Sequence, residues 1–344
     1  MTGWRRRAGP GPRYAVGVAP STGSRGVTPS AVHSRSAALA LLAVLSLVWG
    51  VHWVVAKIGL QYIPPLTYGT LRIAAGLLTL VVILAAQRSL RRPPRSDLPI
   101  ILSVGLGQIA ASIVLMLLAL QFIAAGRSSV LMYTMPLWVA LIMWLLFRTP
   151  PRRNEAVGLA LGIAGVLTLV NPTVIDWTIP GEVFGNLALI LAAILWAGVT
   201  IHIRRHTWAS RPLDLQPWML LVALVPVGIA AALFESGREI TWGLPAVLAL
   251  LYSGPLATAF AYWASQSITR SLGPLASAVG FLATPVVGLI AGAVILGEAL
   301  GPLDIVGFGL VFAGIAATSL VQSPAPPLSP AAGPSTEAEQ EPAR

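Results

Sequence analysis

Cysteine is absent from the 344 residues, and charge is scarce, with Asp, Glu, Lys and Arg together making up 10% of the chain. Without cysteine there are no disulfides, no thiolate nucleophile and no cysteine metal site. An average soluble domain is roughly 25% charged, so this chain has too little polar surface to stay in water. Acids are the scarcer sign, 12 against 22 bases, and none lies deep inside an apolar stretch. Proton-coupled exporters of cationic drugs depend on such a buried carboxylate, so that chemistry is disfavoured. His202 and His206 lie one turn apart, but no third ligand accompanies them. No metal site and no cofactor is expected.

What the chain does have is hydrophobic residue, 56% of it, gathered in blocks of ~18–24, the length that crosses a ~30 Å hydrocarbon core. The expected fold is all-α and integral to the membrane. About ten transmembrane helices are placed near 37–58, 65–87, 99–120, 126–147, 156–171, 184–204, 217–234, 245–268, 274–296 and 303–321. The net charge of +10 sits in short arginine-bearing connections rather than in a basic-aromatic stripe, so nucleic acid is not an expected partner. Residues 1–36 are basic and rich in Pro, Gly and Ser, and residues 322–344 are rich in Pro, Ala and Glu; both read as disordered tails. The first apolar block is too long for a signal-peptide core.

The connections predict orientation. Arg88, Arg91, Arg92 and Arg95, then Arg148, Arg152 and Arg153, then Arg204, Arg205 and Arg211 mark one side. Asp176, Glu182, Glu235, Glu239, Glu298 and Asp304 mark the other. Both termini are therefore expected in the cytoplasm, in a multi-pass cell-membrane protein.

The halves align on each other. A shift of 149 positions brings Ser128 onto Ser277, Pro136 onto Pro285, Gly158 onto Gly307 and Gly165 onto Gly314, and a shift of 147 pairs Trp49 with Trp196 and Lys57 with Arg204. The segment 148–155 is basic, whereas its counterpart 297–304 holds two acids and no cation. Equivalent connections on opposite sides imply two inverted five-helix repeats, 37–171 and 184–321, an arrangement common in secondary transporters.

The ordered series Trp49-Gly50, Lys57, Pro65, Arg72 and Pro136, then Ala261-Tyr262-Trp263, Pro285, Leu296-Gly297-Glu298 and Ala313-Gly314 resembles the EamA-type branch of the drug/metabolite transporter superfamily. The resemblance covers nearly all of residues 37–321. It implies an inner-membrane exporter or facilitator of amino acids and other small metabolites. His52 departs from the asparagine frequent after Trp-Gly, Thr149 stands where the first-half glutamate is expected, and Arg72 has no cationic counterpart.

Candidate substrate-binding residues follow from cost and spacing. Arg72 lies within the second helix, where an arginine costs about 2.5–3.5 kcal/mol on insertion scales; it reads as a docking point for a carboxylate or phosphate, or as a cap on freed carbonyls. Trp49, His52 and Trp53 share a face of the first helix, either lining a cavity or packing. Pro136 and Pro285 interrupt equivalent helices, which reads either as a midplane site near Tyr133 and Thr134 or as a simple packing kink. Tyr262 and Gln266 add an aromatic and an amide. Near one membrane boundary Lys57 reads as reaching out to the interface rather than to substrate. Glu298 reads as a structural acid with an outer-end cation or amide, so that the two could also form a structural ion pair.

The expected function is alternating-access transport of small polar metabolites such as amino acids, exporting them or letting them equilibrate. The expected partners are that solute and the bilayer, with a homodimer left open. The alternatives are a lipid scramblase or flippase-like protein and a membrane enzyme acting on a lipid-linked substrate.

Overall fold

The computed structural model describes residues 35–171, 178–265, 267–268 and 281–320. Apart from Arg35 and Ser36, which begin the first helix, the expected tails fall outside these residues.

Among the described residues there is no strand. The helices are α1 (Arg35–Gly59), α2 (Pro65–Ala86), α3 (Leu98–Leu102 continuing through Ser103–Ala111 to Ser112–Ala119), α4 (Ala125–Met132 and Met135–Leu145) and α5 (Arg153–Leu169). They continue with α6 (Pro180–Arg205), α7 (Pro212–Phe234), α8 (Leu244–Ser265), α9 (Ala283–Leu296) and α10 (Pro302–Leu320). Proline opens α2, α6, α7 and α10. At a first helical position its fixed φ is already helical, and its missing N–H would have had no partner there anyway.

Seven of these helices, α1–α4 and α6–α8, are long and apolar enough to cross a membrane. The sequence led us to expect about ten. The other three fall short of that: α5 has 17 residues, and the shorter apolar helices are α9, with 14, and Pro302–Ala317 of α10. Residues 269–280, which include the start of the ninth span expected at 274–296, are outside the described set. Large apolar side chains such as Leu78, Leu145, Leu233 and Val294 are more than 60% exposed on the bundle's flanks. Such a belt needs hydrocarbon rather than water around it.

Side-chain contacts sort the helix ends into two groups. At one end, Lys57 in the last turn of α1 reaches Ile123 beyond α3 and Glu298 beyond α9, while Glu235 at the close of α7 holds the start of α2. At the other, His206 after α6 meets Asp97 before α3, and Arg205 lies over the Phe147 ring past α4, 3.7 Å from its centroid. The equivalent ends of α4 and α9 therefore lie at opposite ends of the bundle.

Packing follows the sequence shift. α1 packs on α9 as α6 does on α4; α2 packs on α8 as α7 does on α3; α2 meets α7 and α5 meets α10. The α5–α10 seam is built on glycine. A Cβ on Gly165 would stand 2.8 Å from the Gly307 carbonyl, and one on Gly314 would stand 2.6 Å from the Gly158 carbonyl. Small residues at this spacing let two backbones touch.

Candidate functional site

Among the described residues, the two longest interruptions of regular α-helix occur at matching places. Residues Ser103–Ala111 of α3 and Tyr252–Phe260 of α8 are π-helical, a shift of 149 positions. A π turn displaces the backbone ladder and leaves carbonyls for side chains, which is why such bulges gather at functional positions. In α8 the freed Ser253 carbonyl accepts the Thr258 hydroxyl at 2.7 Å.

A buried polar chain runs from that turn. Arg72, 6% exposed, donates from Nε to Thr258 Oγ1 at 3.2 Å. Tyr68, one turn before it on α2, has its hydroxyl 2.6 Å from Ser253 Oγ and 3.2 Å from the Ala249 carbonyl. Ser253 Oγ in turn lies 3.4 Å from His52 Nδ1. The His52 ring stacks on Tyr252, and the Tyr252 hydroxyl donates to the Val48 carbonyl at 2.9 Å. Arg72 stands seven residues beyond Pro65, about 10 Å along the helix from its first residue.

Two nitrogens in this chain, Arg72 Nη1 and His52 Nε2, are buried without a hydrogen-bond partner. The titratable groups that reach Arg72 are Tyr68, Tyr262 and His52, none of them a carboxylate. An unmet donor of this kind costs about 1–3 kcal/mol, more when the group is charged. The chain therefore carries an unmet demand for an acceptor, and a negative one meets it best.

The remaining residues singled out from sequence do not all join this polar chain. Tyr262 lies within electrostatic reach of Arg72, and Tyr133 within reach of Thr284 and Tyr262. These bring α4, α8 and α9 to the same region. Trp49, Trp53 and Thr134 have their polar or apolar capacity taken up locally. The Trp49 indole donates to the Ala257 carbonyl at 3.1 Å and sits edge-on to Tyr262; Trp53 packs into the main core; Thr134 bonds the Leu131 carbonyl at 2.6 Å and accepts from Trp138. Gln266 lies outside the described residues. Pro136 follows a true break, Tyr133 and Thr134 standing between the two parts of α4, and Pro285 follows an equivalent turn at Leu282.

Lys57 and Glu298 form a 3.2 Å contact at the bundle's end rather than in the polar chain. The Glu298 carboxylate also accepts the backbone N–H groups of Ala125 at 2.6 Å and Gly126 at 2.9 Å, so it caps α4. The sequence reading of Lys57 as reaching out to the interface gives way to an inward contact, because the Ile123 carbonyl and Glu298 both offer it acceptors. His206 bonds Asp97 at 3.0 Å, and no cluster of three metal-ligating side chains occurs among the described residues.

Sequence reasoning missed Tyr68, Ser253, Thr258 and Glu235. Ser253 and Thr258 are five residues apart, a spacing that shares a face in a π-helix but not in an α-helix. Glu235 looks like a connection acid until the fold brings it to α2, where it accepts from Leu66 N, Thr67 N and the Thr67 hydroxyl.

A model of the family described as EamA-like transporters matches residues 36–171 and again residues 183–320. A protein named as an uncharacterized transporter, YoaV, of Bacillus subtilis is 28% identical over 79% of this chain and 92% of its own length. A protein named as a probable amino-acid metabolite efflux pump of Salmonella typhimurium is 30% identical over 80% of this chain and 92% of its own. A solved crystal structure superposes with a TM-score of 0.57 at 21% identity, covering 83% of this chain and 99% of the other, a likeness of fold.

Proposed function

This chain belongs to the EamA-like transporter family, and from that premise we propose that it moves small carboxylate-bearing metabolites, amino acids among them, by alternating access. It is a multi-pass membrane transporter. The observation that carries the substrate class is the buried Arg72, whose Nη1 has no partner and whose neighbours include no carboxylate. A substrate carboxylate supplies both missing features, charge and acceptor. The name carried by the Salmonella relative, an amino-acid metabolite efflux pump, fits the same class.

The proposed frame is ten spans in two inverted five-helix repeats, 37–171 and 184–321, with both termini cytoplasmic. Support comes from the exchange of helix partners under the 147–149 shift and from equivalent helix ends at opposite ends of the bundle. Arginine-rich connections at the end that holds Arg148 and Arg205 give the direction. Because no native cysteine interferes, Thr178→Cys and Ser210→Cys test it directly. A membrane-impermeant maleimide added outside is expected to label the first and not the second; the reverse pattern refutes the orientation.

Counterflow in proteoliposomes tests the transport reading. Vesicles are preloaded with a mixed panel of amino acids, organic acids, nucleosides and sugars, and exchange is followed by mass spectrometry. Selective exchange within the amino and organic acids supports the proposal. Folded protein that exchanges none of the panel refutes it.

A further inference from the structure

The repeat provides a comparison that a single fold rarely offers, because each residue of the polar chain has a counterpart built on the same backbone. Proline opens both α2 at Pro65 and α7 at Pro212, fixing a shift of 147 there; the paired π turns fix 149 for α3 and α8. The glycines of the π turns check the match. A Cβ on Gly254 would meet Arg72 O and Ala75 Cβ, and one on Gly105 would meet Met219 O and Val222. Arg72 and Met219 are therefore equivalent, as are Ala75 and Val222.

With that register, His52 corresponds to Val199, Tyr68 to Leu215, Arg72 to Met219, Ser253 to Val104 and Thr258 to Ile109. All five counterparts are apolar, and all five are buried, none more than 8% exposed. At these five positions the same junction of three helices is thus closed in one half by apolar side chains. Polarity at these positions is not something the scaffold requires. In the α1–α2–α8 half it is instead concentrated, and left with two unmet nitrogens.

The hydrogen bookkeeping of the chain gives those nitrogens opposite characters. The Ala249 carbonyl can only accept, so the Tyr68 phenolic proton goes to it at 3.2 Å. The Ser253 hydroxyl then donates to Tyr68 at 2.6 Å and accepts from His52 Nδ1–H at 3.4 Å, which leaves Nε2 without a hydrogen. Arg72 Nη1 is a donor in any state. The unmet pair is then one N–H donor and one acceptor nitrogen, fixed by Thr258 and Ser253 through hydrogen bonds on either side of one π turn.

We infer that the transporter has a single substrate site in the α1–α2–α8 half, where Arg72 Nη1 donates to a substrate carboxylate and His52 Nε2 accepts from the substrate's ammonium N–H, and that the equivalent α6–α7–α3 junction binds nothing. The inference rests on the transport reading above and narrows it to one site, a carboxylate beside a hydrogen-bond donor, and two specificity-determining side chains.

The full chain in proteoliposomes tests this. The amino acid exchanged best in the counterflow panel is compared with its methyl ester, which lacks the carboxylate charge. Each is run on wild type, Arg72→Met, His52→Val and the double variant Val104→Ser/Ile109→Thr. The first two carry the residue the other half already uses, so they are expected to insert and elute as monodisperse protein. Wild type is expected to exchange the acid and not the ester. Arg72→Met is expected to weaken half-saturation about 10- to 100-fold, the range of a lost charge-assisted bond, and His52→Val less. The double variant is expected to stay within twofold of wild type. If Arg72→Met does not assemble, Arg72→Lys decides, since it keeps the charge but loses the planar fork; unchanged half-saturation there overturns the proposal. Equal exchange of acid and ester overturns the anion site while leaving the carrier intact. Loss in Arg72→Met with no change in His52→Val overturns the two-residue site, and loss in the double variant overturns its one-sidedness. Absence of any exchange by wild type falls instead on the transport reading.

Discussion

Glu298 offers the sharpest test of how the bundle is fastened, because its carboxylate does two separable things. It accepts the Ala125 and Gly126 N–H groups at the start of α4, and it faces the Lys57 ammonium at 3.2 Å. The acid is 11% exposed and the lysine 28%. Hydrogen bonds to a charged acceptor contribute about 1.5–3 kcal/mol each, and the two N–H groups have no partner inside the helix. Glu298→Ala is therefore expected to cost about 3–5 kcal/mol, the sum falling below twice the single-bond maximum because both bonds share one carboxylate. Glu298→Gln retains one acceptor oxygen and should lose about half of that. Lys57→Met removes a partly solvated pair, worth about 1 kcal/mol or less. Unfolding by SDS in mixed micelles, followed by near-ultraviolet dichroism of the 11 tryptophans, measures the series. The reasoning fails if Lys57→Met costs as much as Glu298→Ala, since the ion pair and not the helix cap would then carry the contact.

Three further outcomes follow from local geometry. Gly165→Leu is expected to destabilise by about 1–3 kcal/mol, because its Cβ would meet the Val311 nitrogen at 2.7 Å, whereas Gly309→Leu, with nothing within 4 Å, should be near neutral in the same unfolding series. Arg148 has φ 53 where its repeat equivalent Gly297 has φ 65, so Arg148→Gly should stabilise by about 0.5–1 kcal/mol once glycine's own entropy is counted; a loss would show that the arginine's contacts outweigh its backbone strain. Pro136→Ala and Pro285→Ala restore an N–H at the breaks in α4 and α9, and severalfold slower counterflow with unchanged unfolding is expected if the breaks shape the transport pathway.

Most of the frame was readable because its signals are periodic or cumulative. Apolar blocks have the length of a bilayer, and the α1–α4 and α6–α8 helices fall within a few residues of the places the sequence gives them. The repeat was visible because Gly165 and Gly314, and Pro136 and Pro285, have positions that only small or ring-locked residues fill. The site was only partly readable. Arg72 and His52 stand out as rare types in an apolar run, but Ser253 and Thr258 are joined to them by a π turn that no period of 3.6 reveals. Glu235 and Glu298 look alike in sequence, as acids after an apolar helix. Only the fold shows that each reaches across the bundle to cap another helix.

That last pair also bears on how the transporter opens. The counterparts of Glu298 and Lys57 under the repeat shift are Thr149 and Arg204. Thr149 bonds the Met143 carbonyl of its own helix at 2.7 Å, and Arg204 is exposed. One end of the bundle is thus held by a carboxylate that caps the start of a neighbouring helix. At the other end Thr149 and Arg204 form no such cap, and the Asp97 carboxylate instead holds His206 and the Ala209 N–H beyond α6. On the alternating-access reading, opening at the Glu298 end must break contacts worth about 3–5 kcal/mol, and a two-state equilibrium shifts tenfold for every 1.4 kcal/mol. Ser129, fully buried one turn beyond the cap and bonded to the Gly126 carbonyl at 2.7 Å, reports on that end. Labelling of Ser129→Cys by a small maleimide is expected to speed up about 100- to 1000-fold when Glu298→Ala is added, less any part the substitution relieves in both states. Labelling that does not change would mean the carboxylate holds α4 equally in both conformations, and the asymmetry of the two ends would then have no role in gating.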